Sequence, residues 1–340
     1  MRGEDVVGYM LIGICLLTFS LSWILTWLLK HYVKPRAKAV PEFGGISIFL
    51  SFWMGFFLLF PELLGNSSQG MLCFASFIVL LTGILDDLFV LSAWQKSLGL
   101  LLAANVIYFL TDIQLSTIFL PQINAILFNT FTYILTIGWI YFVTNAVNLL
   151  DGVDGLASSV SAMSLLILTV TTILFSGTVR APFIGMLVLL IVAILGFLPH
   201  NLPPAKIYLG DTGALFVGFM YASLGVSNLK NAAIFTMIVP VIMYAVPLFD
   251  SSYAIIRRIM TGQSIVSKDQ EHIHHRLLRS GFSPLQIILG MLAITLVFGV
   301  FAILGQVFRQ WRWIIVLILV IIIVIWIYMM YRLGKNNTKR

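Results

Sequence analysis

Apolar residues run along this chain in blocks of about twenty, separated by shorter polar segments. A helix needs about 20 mostly apolar residues to cross a bilayer. On that measure the pattern predicts eleven spans, at 7–29, 44–61, 70–86, 97–111, 126–146, 156–176, 181–199, 213–227, 231–249, 285–305 and 312–332. The expected fold is an all-α polytopic membrane protein, a single integral domain over 1–340. Its motif-bearing core covers about 40–285, followed by the last two spans and a basic tail. Arg2 is followed by Glu4 and Asp5, and the first apolar run is too long for a signal-peptide core, so no cleavable signal is predicted. No internal repeat of the kind that marks many transporters is visible.

Composition agrees with the pattern. The 340 residues are 60% apolar and 10% charged, where a soluble domain carries about 25% charge. Mean hydropathy is +1.03. A soluble, a disordered or a disulfide-stapled secreted chain is thereby disfavoured. The net charge of +7 is scattered among apolar runs, with no dense basic face for a phosphate backbone, so no nucleic-acid partner is expected. Cys15 and Cys73 sit in apolar stretches and read as small hydrophobes.

Cations then set the orientation, because cytoplasmic loops carry the excess of Lys and Arg. With 30–43 in the cytoplasm, the inside holds Lys30, Lys34, Arg36, Lys38, Lys96, Lys206, Arg257, Arg258, Lys268, Arg276, Arg279, Arg332, Lys335, Lys339 and Arg340. The outside keeps Arg2, Arg180, Lys230, Arg309 and Arg312. Fifteen against five predicts an outside N-terminus and a cytoplasmic C-terminus. Nine of the thirteen acids and all five histidines fall on the same inner side, which is where chemistry is expected.

Four polar constellations lie on that side. Asp86-Asp87 ends the third span; a carboxylate inside hydrocarbon costs about 2.5–3.5 kcal/mol, so the pair must reach water, a cation or a shared proton. It reads as a solvated helix end or as a metal site or general base. In the second, Asn145, Asn148 and Asp151 recur every three residues on one broad helical face, with Asp154 beyond Gly152. Those amides and carboxylates suit a sugar, a uracil edge or a hydrated cation. Asp-Gly turns alone would explain the glycines but not two asparagines in an apolar stretch.

The third constellation, from Asn201 through Lys206 to Gly213, holds Asp211, which could cap the next helix or ligate Mg²⁺. The fourth is Lys268 to Arg276, where His272, His274 and His275 lie beside Arg276. No Cys is near and the spacing fits no common structural zinc site, so a grip on phosphate competes with a basic loop lying against anionic headgroups. Together these groups fit metal-assisted phosphoryl transfer between a soluble anionic donor and a lipid acceptor. A secondary transporter is the rival from another class.

The motifs GILDD, NAVNLLDGVDGLA, PAKIYLGDTGALF and DQEHIHHRLL, with FGGISIF at 43–49, occur in the order seen in the polyprenyl-phosphate N-acetylhexosamine-1-phosphate transferases. The chain resembles that family over about 40–285, and its H-x-H-H-R form is similar to the branch that starts teichoic acid, O-antigen and enterobacterial common antigen synthesis. The resemblance implies transfer of a sugar-1-phosphate from a UDP-N-acetylhexosamine, most commonly UDP-GlcNAc, to undecaprenyl phosphate, releasing UMP. The same reaction with another sugar, for O-antigen or capsule, is the alternative. It further implies the bacterial cytoplasmic membrane, Mg²⁺ (with Mn²⁺ as a substitute) and a homodimer as the candidate assembly.

By matching motif, Asp211 would be the main metal ligand. Asp86 would deprotonate or orient the lipid phosphate with Asp87 in support, and Asn148, Asp151 and Asp154 would contact the nucleotide-sugar and order the metal environment. His272, His274, His275 and Arg276 would hold the diphosphate, and Lys96 would contact phosphate. Asn145 and Lys206 complete the candidate substrate-binding set. Two positions depart from the family pattern: Leu100, where Gln is usual, and Gln270, where Lys or Arg is frequent.

Overall fold

The computed structural model describes residues 2–33, 40–63, 65, 67–115, 125–175, 181–229, 258, 277–311, 313–315, 317–322 and 324–325. Inside a bilayer every backbone N–H and C=O must be satisfied within the protein, which leaves helices as the spanning form for runs of this length. Nine long helices follow among the described residues. They are α1 (Arg2–Tyr32), α2 (Gly44–Leu59), α3 (Ser67–Phe89), α4 (Ala93–Leu110), α5 (Ala125–Leu150), α6 (Leu156–Phe175), α7 (Ala181–Asn201), α8 (Gly210–Leu229) and α9 (Pro284–Val307). Short 3₁₀ turns occupy Pro61–Leu63 and Arg309–Trp311, and no strand occurs among the described residues.

Seven of these helices, α1, α3 to α7 and α9, are long and apolar enough to cross a membrane, and α2 is a shorter apolar helix. The chain is an all-α, multi-pass membrane protein. The first eight predicted spans fall on α1 to α8 and the tenth on α9. The ninth, 231–249, lies outside the described residues, and of the eleventh only an apolar helix at Trp313–Ile322 is described.

The helices differ from the predicted spans mainly at their polar ends. The third runs to Phe89, the fifth to Leu150, and the fourth begins at Ala93 rather than 97. A capping box accounts for that start: Ser92 Oγ accepts the Gln95 N–H and the Gln95 side chain accepts the Ser92 N–H. Apolarity had marked only the lipid-facing length, while capping chemistry extends the helix beyond it.

Helix α8 forms the centre. Its residues Ala214 to Ala222 are all buried, and α2, α3, α5 and α6 pack around it. Polar residues along the helices are mostly satisfied locally, as where Thr144, Thr169 and Thr172 hydroxyls donate to carbonyls one turn back. A few reach across: Ser22 to the Ala193 carbonyl (2.6 Å), Thr26 to Ser47 (2.7 Å), and the Trp53 indole to Ser76 (3.0 Å). Such interhelical bonds average about 0.6 kcal/mol each in a membrane bundle, so packing carries most of the association.

Candidate active site

Two close helix contacts bring the acids of α3 into one place. Thr82 and Asp86 lie four residues apart on the side of α3 that meets α4, and a Cβ on Gly99 of α4 would lie 2.8 Å from Thr82 Cγ2. Gly83 and Asp87, also four apart, face α8. A Cβ on Gly83 would lie 2.5 Å from Thr212 Cα and 2.6 Å from Thr212 N, so only glycine allows that approach. The two adjacent carboxylates therefore serve different helices.

Asp87 caps α8. Its Oδ1 accepts the Asp211 N–H at 2.9 Å, and its Oδ2 accepts both the Thr212 N–H at 3.0 Å and the Thr212 hydroxyl at 2.6 Å. The first N–H groups of a helix lack partners within it and carry its positive dipole end, so a carboxylate fits there. Capping, expected as one reading of Asp211, is supplied by Asp87. The Asp211 side chain is thereby left to turn elsewhere.

It turns to Lys96. The Lys96 ammonium lies 2.8 Å from Asp86 Oδ2, 3.0 Å from Asp211 Oδ1 and 3.1 Å from Asn148 Oδ1. Asn148 Nδ2 donates to Asp211 Oδ1, and the Leu91 N–H donates to Asp86 Oδ1 at 2.8 Å. Side-chain exposure is 10% for Asp86, 17% for Lys96 and 32% for Asp211, so Asp211 is the most open of these three charged groups.

Beside this cluster lies a cavity of about 350 Å³, lined by Asp87, Asn148, Asp151, Asp154 and Asp211 among the predicted residues. Asp86 and Lys96 are not among its lining residues and meet it through Asp211 and Asn148. Asp151 lies in the turn after α5, and Asp154, just before α6, accepts the Ala205 N–H at 3.0 Å. Asn145 does not reach the cavity; its amide donates to the Tyr141 carbonyl on its own helix. Lys206 is exposed and lies outside the lining. His272, His274, His275 and Arg276 lie outside the described residues.

The cavity also holds residues to which sequence reasoning gave no role. Glu42 and Tyr208 arrive together, because segments 41–45 and 208–209 exchange backbone bonds: Tyr208 N–H to Pro41 O (2.8 Å), Gly44 N–H to Tyr208 O (3.1 Å) and Gly45 N–H to Leu209 O (3.2 Å). Gly210 adopts φ +71° there, with the Asp87 carboxylate 2.8 Å from where a Cβ would stand. Asn201 accepts from Ser158 (2.6 Å) and donates to Ile207 O (3.1 Å), tying α6 and α7 to the approach to α8. The FGG sequence directly after Glu42 was the available signal for that segment.

As donors for a hard divalent ion these groups fit. Two carboxylates and an amide oxygen already converge on one cationic atom, and Mg²⁺ takes one or two carboxylates with substrate phosphates completing its shell. Among the described residues no three acidic, His or Cys side chains form a metal cage by themselves.

The fold and site define a multi-pass membrane protein with a charged cavity built at one end of its helix bundle. The sequence model of glycosyl transferase family 4 matches residues 70–228. The chain is 33% identical over 272 residues to a probable undecaprenyl-phosphate N-acetylglucosaminyl 1-phosphate transferase of Bacillus subtilis, covering 79% of this chain and 74% of that one. It is 30% identical over 323 residues to a decaprenyl-phosphate N-acetylglucosaminephosphotransferase of Mycobacterium leprae, covering 85% and 80%. An undecaprenyl-phosphate alpha-N-acetylglucosaminyl 1-phosphate transferase of Thermotoga maritima is 26% identical over 247 residues, covering 71% and 69%. The chain belongs to glycosyl transferase family 4, among its polyprenyl-phosphate sugar-1-phosphate transferases, and is an enzyme of the membrane.

Proposed function

We propose that the enzyme transfers N-acetylglucosamine-1-phosphate from UDP-GlcNAc to undecaprenyl phosphate at the cytoplasmic face, with Mg²⁺, as the first membrane step of a cell-envelope polymer such as wall teichoic acid. An oxygen of the lipid phosphate attacks the sugar-bearing phosphorus of the donor, and the bond from that phosphorus to UMP breaks. The products are the diphosphate-linked lipid sugar and UMP. The observation that carries this reading is the convergence of Asp86, Lys96, Asn148 and Asp211 beside a cavity at the helix ends, where the headgroup of a lipid substrate would be met.

Two anions must meet in this reaction, so neutralising charge and holding the reactants in line dominate the barrier. Asp211, with Asp86 nearby, would hold Mg²⁺, which would supply charge neutralisation on the donor diphosphate. Lys96, on its flexible stem beside Asp211, would add a second positive charge next to the donor's phosphates. Asp154 holds the 205 backbone at the cavity wall, and Asp87 holds the Asp211 backbone. The scheme taken here is direct attack by the lipid phosphate with no aspartyl-phosphate intermediate; the Leu91 N–H holds Asp86 in position through one oxygen.

Purified protein in detergent with UDP-GlcNAc, undecaprenyl phosphate and Mg²⁺ should release UMP, and omission of any one should stop it. No UMP from the complete mixture would overturn the transferase reading. A panel of UDP-sugars under the same conditions tests the choice of GlcNAc, which rests on the names of the relatives.

A further inference from the structure

Lys96 stands on the oxygens that a metal ion would need. Its ammonium lies within 3.0 Å of a carboxylate oxygen of both Asp86 and Asp211, and 3.1 Å from Asn148 Oδ1. A divalent ion and an ammonium cannot both sit among those three oxygens. We propose that Lys96 is a resident counter-ion of the metal cradle. It holds Asp86 and Asp211 together while no divalent ion is bound, and gives up its place when the ion enters. This rests on the Mg²⁺ reading above.

The chemistry of the side chain suits exchange. Two carboxylates turned toward one point repel each other unless a cation lies between them. A lysine supplies that cation as a compact charge on a flexible four-carbon stem, and can leave without strain. Its backbone is fixed, because Lys96 lies in the first turn of α4 under the Ser92–Gln95 capping box. A displaced ammonium therefore stays within a stem's length of the cradle, beside the cavity where the donor's phosphates would lie. The competition has a consequence for binding order. Metal alone must evict Lys96 toward the carboxylates that line the cavity, whereas metal arriving with an anionic donor also offers it phosphate oxygens. Lys96 thereby lets donor strengthen metal binding, a coupling between two ligands through one side chain.

The test is Mn²⁺ binding to the full-length protein in detergent, followed by electron paramagnetic resonance. Without donor, Lys96→Met should bind Mn²⁺ about tenfold more tightly than wild type, since it loses a charge-assisted competitor. Lys96→Arg, which keeps the charge, should stay near the wild-type value. Equal or weaker Mn²⁺ binding by Lys96→Met overturns the competition while leaving the metal site standing. No Mn²⁺ binding by either protein, with or without UDP-GlcNAc, overturns the metal reading and this inference with it. Should Lys96→Met not fold, wild type suffices: acylation of Lys96, read by peptide mass spectrometry, should rise about threefold or more on adding Mg²⁺. Unchanged or reduced labelling overturns the proposal.

Discussion

Neighbouring residues on an α-helix point about 100° apart, so an Asp-Asp pair at a helix end cannot aim both carboxylates at one partner. Asp86 goes to Lys96 of α4 and Asp87 to the first N–H groups of α8. The two should therefore fail differently. Asp87→Ala leaves two N–H groups and the Thr212 hydroxyl without their acceptor, and an unmet buried donor costs about 1–3 kcal/mol. The expected result is a lower melting temperature together with lost turnover; a wild-type melt would overturn the capping role. Thr212→Val removes one of the three bonds and should cut UMP release by about tenfold, from about 1.4 kcal/mol of lost positioning, while Thr212→Ser keeps the hydroxyl and should restore most of it. Asp211→Asn should instead separate the two readouts, abolishing UMP release while melting within a few degrees of wild type. Near-normal turnover by that variant would remove Asp211 from the metal-holding role.

At the scale of elements, glycine decides how near the helices come and hence where the acids land. Gly83 lies against the Thr212 backbone, one turn before Asp87. Gly83→Ala must push α3 away from α8, and overpacking of this kind costs about 1–3 kcal/mol. Both stability and UMP release should fall. Gly138→Ala on α5, where a Cβ would meet nothing within 4 Å, should be neutral or slightly stabilising, since alanine is favoured over glycine in a helix. Equal melting temperatures for the two variants would contradict the packing account. The helices themselves were legible from apolar runs, because lipid makes each span declare its own hydrophobicity. The motifs were legible because their residues are polar where polarity is costly. Which partner each side chain meets was not. Asn145 and Asn148 share a spacing that predicts one face, yet Asn148 joins Lys96 and Asp211 while Asn145, a turn deeper, bonds its own helix. Glu42 enters the cavity through backbone pairing between segments far apart in sequence, which no local pattern encodes.

For the whole molecule, the site gathers alternate helix ends: the end of α3 with the start of α4, the end of α5 with the starts of α6 and α8. Chain direction therefore reverses from α3 to α4 and again to α5, as successive bilayer crossings require. The distribution of cations predicts that the site end faces the cytoplasm, where the proposed UDP-sugar donor would be available, and that the opposite ends face outside. This assignment can be tested without any activity assay. With Cys15 and Cys73 replaced by alanine, a single cysteine at exposed Ser92 or Lys206 belongs to the site end, and one at exposed Gly65 or Asp112 to the other. A membrane-impermeant maleimide applied to intact cells should label Gly65→Cys and Asp112→Cys. Ser92→Cys and Lys206→Cys should react only after the membrane is opened. The reverse pattern would put the cavity outside, away from its donor, and the proposed reaction could not run there. Labelling of one position from each pair would break the alternation itself. The transferase reading thus depends on the scarce charges of this chain acting twice, once to orient the bundle and once to build the cavity.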